Sequence, residues 1–185
     1  VVSAPDGSRR ALLLRGALAG GALLGVAGCA GPTPTTTTVT RGPLEPAQVL
    51  ALNWLRALEL EAIHVYEAGV PVLGDSPFAA YAAQFLQDAI VRSADLAALV
   101  IEHGGRPTNV AAAGRPAAPS GPKAMLMLFV SVQRRQIAAY LQAIPHAVPG
   151  TTRAALGAML GSVAQQLALV RRELGQPALA GPFVS

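Results

Sequence analysis

The stretch that most constrains this chain is one without a pattern. Arg106 to Pro122 is rich in proline, glycine and alanine and shows neither a helical nor a strand period. It separates two halves that are both strongly helical in pattern. A structureless segment of this length inside a compact domain needs a geometric reason. A helix of about 25 residues is about 37 Å long, and an extended loop of this length reaches about 50 Å. The segment can therefore run the full length of a helical bundle and let the helix after it lie parallel to the helix before it.

Composition agrees with helices. Hydrophobic residues make up 52% of the chain and aromatic residues 4%. Alanine and leucine dominate, whereas strands favour β-branched and aromatic side chains. Four helical stretches can be marked. The first, Ala47 to Ala68, starts near Glu45-Pro46, where proline suits a first turn and glutamate suits the positive helix end. Leu50, Trp54, Leu58, Ala62 and Val65 follow the 3–4 spacing of a buried stripe, widened by Leu52, Leu55 and Ile63. Gly69 and Pro71 are its expected stop. Glu59 and Glu61 fall on opposite flanks of the stripe, and His64 lies nearer the polar side.

The second stretch runs from about Phe78 to His103, with Phe85, Ile90, Leu96, Leu99 and Val100 as apolar positions and Gly104-Gly105 as its cap. Asp88, Arg92 and Asp95 share one of its faces. The third runs from about Lys123 to Ile144 and ends at Pro145 and Pro149-Gly150. Thr151 or Thr152 is the expected cap of the fourth, which continues to about Leu174 and closes at Gly175 and Pro177. The connections are short, long, short, and a four-helix bundle with one long central connection is the simplest fold that accommodates them.

The amino-terminal part has a different logic. Ser8-Arg9-Arg10-Ala11-Leu12-Leu13 resembles a twin-arginine export signal, with Arg9 and Arg10 as the signal pair. An apolar run, Ala11 to Gly28, follows and ends in Val26-Ala27-Gly28-Cys29, which resembles a bacterial lipobox. On that reading residues 1–28 are a signal peptide and Cys29 becomes the lipidated first residue. The run is marginal for a spanning helix, rich in glycine and broken by Arg15. An acyl anchor on Cys29 would hold the protein to a membrane of the cell envelope without crossing it. Residues 29–46 are low-complexity and rich in threonine and proline, the composition of a tether. Residues 47–185 form the globular part, and its last residues, ALAGPFVS, carry an apolar patch that can fold back on the bundle.

Charge and cysteine content exclude several functions. Beyond Cys29 there are 11 Lys and Arg against 9 Asp and Glu. The positives are scattered and not interleaved with aromatics, which argues against nucleic acid as a partner. Cys29 is the one cysteine, so neither an internal disulfide nor a cysteine-based metal cluster can form. No phosphate loop or nucleophile–base constellation occurs. His103, beside Gly104-Gly105, reads as a helix C-terminal cation, and His146 falls in a loop.

The stretch LNWLRALELEAIHVYEAG resembles the first helix of bacterial ferritin-like domain proteins, including the desiccation-related group. There a core glutamate precedes a tyrosine by seven residues, as Glu59 precedes Tyr66 here. VQRRQIAAYLQAIP resembles the corresponding third helix, with Gln133 in the glutamate position ahead of Tyr140. The resemblance covers Gln48 to Ser185. It implies an all-α, ferritin-like four-helix bundle with a long crossover between helices 2 and 3. It also implies a place where many such bundles hold two iron or manganese ions, using a glutamate from each of two helices and a Glu-x-x-His from each of the others.

The ligand set is incomplete. Glu59 is present, Asp88 and Asp95 bracket Arg92 where the second helix should supply ligands, Gln133 replaces glutamate, and Val163 and Gln166 stand in the fourth helix's positions. Two dications beside one or two carboxylates and an arginine would be left uncompensated in a low-dielectric core. The expectation is a degenerate site at Glu59, Asp88, Arg92, Asp95, Gln133 and Gln166, without a cofactor. In it Arg92 supplies the positive charge, pairing with Asp88, Asp95 or Glu59, and the two glutamines complete a hydrogen-bonded layer. The competing arrangement leaves these residues on solvated faces.

Three functions are compatible with these residues. The first is a non-catalytic structural or interaction module, lipid-anchored in the envelope, meeting an envelope protein or further copies of itself. The second is an iron- or manganese-binding protein with an irregular site at Glu59, Glu61, His64 and Asp88, using the Glu61–His64 spacing. The third is a carrier of an apolar ligand lined by Met125, Met127, Phe129 and Met159, although such methionines are more often core.

Overall fold

The computed structural model describes residues 46–113, 117 and 119–178. The export signal at Arg9 and Arg10, the lipidation residue Cys29, nearly all of the tether and the last seven residues of the tail lie outside the described residues. Four long helices make up the described part: α1 (Pro46–Leu73), α2 (Phe78–Glu102), α3 (Pro122–Ala143) and α4 (Gly150–Glu173), with a 3₁₀ turn at Ile144–His146 between the last two. No strand occurs among the described residues. Helix α1 packs against α2 and α3, and α4 packs against α3 and more lightly against α2.

The core falls into two apolar clusters with a polar layer between them. One cluster joins the last half of α1 to Phe78, Phe85, Met125 and Phe129. The other joins Leu52, Leu55 and Leu58 to Leu96, Tyr140, Leu156 and Met159. Of the stripe that the spacing suggests for α1, Leu52, Leu55, Leu58, Ala62 and Val65 are buried, but Leu50 and Trp54, near the start of the helix, are exposed at 70% and 54%. Glu59, Tyr66, Gly69 and Leu73 are buried beside them. Ile90 also faces outward, at 42%.

Helix α1 does not stop at Gly69 and Pro71 but continues to Leu73. A proline costs a helix interior about 3 kcal/mol. Pro71 sits in the final turn, and burying a Leu73 side chain returns about 1.5–3 kcal/mol. Gly69 is not a cap. It lets Phe129 lie against the helix backbone, where a Cβ would come within 2.5 Å of the Phe129 ring. Gly104 and Gly175 do cap. Both have positive φ, and each begins a pair of backbone bonds (Gly104 to Ile101 and Gly105 to Val100; Gly175 to Arg172 and Gln176 to Arg171) that satisfies the last carbonyls of its helix. Neither Thr151 nor Thr152 caps α4. The Pro149 carbonyl opens that helix by accepting from the amides of Thr152 and Arg153, and Thr152 is buried.

The segment after α2 is tied to α1. The Asn53 amide donates to the Arg106 carbonyl at 3.0 Å and its oxygen accepts from Thr108 N–H at 2.7 Å. Arg56 donates to Asn109 at 3.0 Å, and Ala112 N–H reaches the Ala57 carbonyl at 2.9 Å. The contacts advance along α1 as the segment advances. His103, the C-cap of α2, is buried rather than solvated.

The two halves repeat one another. The separation of 74 residues between Glu61 and Arg135 also relates Glu59 to Gln133, Tyr66 to Tyr140, Asp88 to Ser162 and Arg92 to Gln166. Core positions keep the same register: Leu52 and Leu126, Leu55 and Phe129, Phe85 and Met159, and Leu96 and Val170 are all buried. The hairpin α1–α2 and the hairpin α3–α4 are therefore structural copies.

The Gly69 contact gives a stability test. Overpacking a filled site costs about 1–3 kcal/mol, while alanine gains a helix up to about 1 kcal/mol over glycine. Phe129 is fully buried and has no room to retreat. Gly69→Ala should lower the unfolding free energy in urea by about 1–2 kcal/mol. A stabilised variant would show that the ring is loosely held.

Candidate functional site

The layer between the two clusters is polar and almost entirely closed to solvent. At its centre Glu59 (0% exposed) meets Arg92 (4%). Arg92 Nε donates to Glu59 Oε2 at 3.0 Å. Its Nη2 lies 3.0 Å from the same oxygen, as an ion-pair contact rather than an aligned hydrogen bond. The other carboxylate oxygen accepts the Tyr140 hydroxyl at 2.9 Å, and Met159 Sδ lies 3.6 Å from that hydroxyl. Arg92 Nη1 reaches Ser162 Oγ on α4 at 3.2 Å.

The rest of the layer consists of neutral amides and hydroxyls. Gln133 Nε2 donates to Tyr66 Oη at 3.1 Å. Asp88, half-buried, accepts from Gln84 and from Gln166, each at 2.8 Å. Gln136, one turn beyond Gln133, is fully buried and makes no hydrogen bond of good geometry, yet its amide favours the charged form of Glu59.

The bonds are reciprocal between the halves. Glu59 pairs with Tyr140, and its structural copy Gln133 pairs with Tyr66, the copy of Tyr140. Arg92 pairs with Ser162, and its copy Gln166 pairs with Asp88. Such pairing is what an approximate two-fold axis between the hairpins produces.

Burial raises the pKa of the Glu59 carboxyl above its usual range, against the opposing pull of the Arg92 charge and of hydrogen bonds from Arg92 and Tyr140. Desolvation pulls the Arg92 pKa down, but the Glu59 charge, the hydrogen bond to Glu59 and the two tyrosines together outweigh it and keep the guanidinium cationic. Both tyrosines are pushed far up by burial, Tyr140 also by the Glu59 charge, so both stay protonated as donors.

The positions read from the sequence thus separate. Glu59, Arg92, Asp88, Gln133 and Gln166 meet in one layer. Asp95 is exposed and takes no part in the layer, although it lies on the same side of α2 as Asp88. Of the three partners open to Arg92, Glu59 is the one taken. The second set does not assemble: Glu59 is held by Arg92 and Tyr140, Asp88 by the two glutamines, and Glu61 by Arg135 on α3. His64 is half-buried on α1. Among the described residues no group of three or more His, Cys, Asp and Glu side chains could hold a metal ion. A two-metal centre does not fit these residues, since a guanidinium lies against the one fully buried carboxylate and the other partners are amides and hydroxyls. Nor do the methionines and Phe129 line one cavity. Met127 faces solvent at 57%, and Met125 and Phe129 belong to a different cluster from Met159.

Ser162, Gln136 and Gln84 escaped the sequence reading. Ser162 stands one turn before Gln166 and Gln136 one turn after Gln133. Following each glutamine along its own helix face would have found both.

No family model and no curated protein sequence matches this chain. Among solved structures it is similar to a conserved hypothetical protein, rv2844, from Mycobacterium tuberculosis, with a TM-score of 0.64 and 22% identity over 75% of this chain and 95% of that one. At that identity the likeness concerns the fold alone.

Removing one partner of a buried ion pair costs about 3–5 kcal/mol, whereas replacing both with apolar residues is often neutral or better. Arg92→Met should therefore destabilise strongly in urea unfolding, and Glu59→Leu combined with Arg92→Met should recover most of the loss. Additive single losses would mean that the pair is not coupled.

The raised Glu59 pKa gives a pH test of defined sign. Between the ordinary carboxyl range and the raised value, the folded state binds more protons than the unfolded state. The Glu59 contribution to stability then falls as pH rises, with a slope of at most about 1.4 kcal/mol per pH unit. The stability of the wild type relative to Glu59→Gln should increase as pH is lowered from neutrality toward 4.5. An opposite trend would place the Glu59 pKa below its ordinary value.

Proposed function

We propose that this protein is a lipid-anchored, ferritin-like bundle of the cell envelope with a degenerate di-metal site, serving as a non-catalytic structural or interaction module. The observation that carries the reading is the Arg92 guanidinium against Glu59. A fixed cation occupies the place where a metal's charge would have to be, and the remaining carboxylate positions are filled by Gln133, Ser162 and Gln166. What results is a polar plug centred on a paired carboxylate and guanidinium, which joins the four helices and leaves no open coordination position.

The ferritin-like topology draws support from three features. The halves are copies, their polar bonds cross reciprocally, and the long connection after α2 climbs α1 from Asn53 to Ala57. Such a path suits a crossover between parallel helices 2 and 3. The twin arginines Arg9 and Arg10, the apolar run and Cys29 support export and acylation. Among the described residues no helix is long and apolar enough to cross a membrane.

Two measurements test the reading. Protein purified without a tag should carry no stoichiometric iron or manganese. A near-stoichiometric metal that disappears in Glu59→Ala would replace the plug with a working centre. For the anchor, Cys29→Ser should move the protein from the membrane fraction to the soluble fraction.

A further inference from the structure

The repeat makes one difference between the halves conspicuous. At the end of the bundle where α1 finishes, Phe78, Met125 and Phe129 fill the space between the helices and are buried. Their structural copies at the opposite end, 74 residues away in the chain, are Thr152, Ala51 and Leu55. Val65, packed at the filled end, is matched by Ala139. These smaller side chains leave a cleft of about 240 Å³ between α1, α3 and the start of α4, its floor built from Ala51, Ala139 and Ala143. No Asp, Glu, Lys or Arg lines it, and its polar members are Gln48, Gln142, His146 and Thr152.

The rim of this cleft is apolar and unusually exposed. Trp54, the one tryptophan of the chain, lines it at 54% exposure. Leu50, one turn earlier on the same helix, is 70% exposed, and Val148, next to the lining residue Ala147, is 49% exposed. Large apolar side chains grouped on a surface mark a contact. A tryptophan among small polar groups suits the water–lipid boundary, where its apolar body and N–H are both satisfied.

The chain itself indicates what covers this face. The cleft starts at Ala47, where the segment leading from Cys29 joins α1. From Cys29 to Pro46 the chain advances 17 residues and spans at most about 60 Å. Of the two ends of the bundle, the one that carries this open cleft is therefore the one attached to the acylated residue. We propose that this end docks on the bilayer, with Leu50 and Trp54 entering the interfacial region and the cleft receiving a lipid acyl chain. The inference rests on acylation of Cys29 and adds an orientation and a lipid-contacting face to it.

The test uses the full chain reconstituted into phosphatidylethanolamine–phosphatidylglycerol vesicles whose acyl chains are either ordinary or brominated. Indole emission comes from Trp54 alone. Docking predicts that the emission is quenched in brominated vesicles and that Leu50→Asp, at an exposed position, loses the quenching without changing the melting curve. Vesicle sedimentation of Cys29→Ser is read in parallel. Unquenched Trp54 in a chain that sediments through Cys29 would overturn docking and leave the anchor standing. Unchanged sedimentation of Cys29→Ser would overturn the anchor, and with Trp54 unquenched in that variant it would overturn the docking too. A blue-shifted, unquenched emission that reverts on dilution would assign the face to a second copy of this chain and overturn docking.

Discussion

A carboxylate and a guanidinium, both removed from water, set the terms for the rest of this bundle. Glu59 alone in the core would be prohibitively costly, and so would Arg92. Together they are tolerable because their charges offset each other and further polar groups take up hydrogen-bonding sites around them. Tyr140 takes the free carboxylate oxygen, and Ser162 takes a guanidinium nitrogen. These partners come from α3 and α4, so one pair draws in all four helices. Apolar packing above and below closes the layer and supplies the low dielectric in which its geometry is strictly selected.

The repeat explains how such a layer is built from few residue types. Each hairpin offers the same positions, and where Glu59 meets Tyr140 and Arg92 meets Ser162, their copies Gln133 and Gln166 meet Tyr66 and Asp88. The charges are not shared equally. Glu59, Asp88 and Arg92 all belong to the first hairpin, while Gln133, Ser162 and Gln166 in the second have the same hydrogen-bonding reach without the charge. The second half mirrors the first in shape and complements it in electrostatics.

The four helices, their order and the long connection were legible because they depend on proline, glycine and apolar spacing. The capping role of Gly104 and Gly175 was legible for the same reason. Most of the inward face of α1 was legible too, since Leu52, Leu55, Leu58, Ala62 and Val65 are buried as their spacing suggests, but the exposure of Leu50 and Trp54 was not. The Arg92 pairing was anticipated in kind, but only the fold could decide among three acids. Asp95 dropped out although at seven residues it lies within about 20° of Asp88 on a helical wheel, so its exclusion could not be read from the helix alone. Ser162 was hidden because a serine in a helix carries no pattern until its neighbour across the bundle is known.

The ion pair joins two residues of the same half, and that placement bears on the order of events during synthesis. The first hairpin can close its Glu59–Arg92 contact while the second is still being made. Charge is then cancelled before it is buried. The later half then brings its tyrosine, serine and glutamines to complete hydrogen bonds, and its Arg135 to meet Glu61.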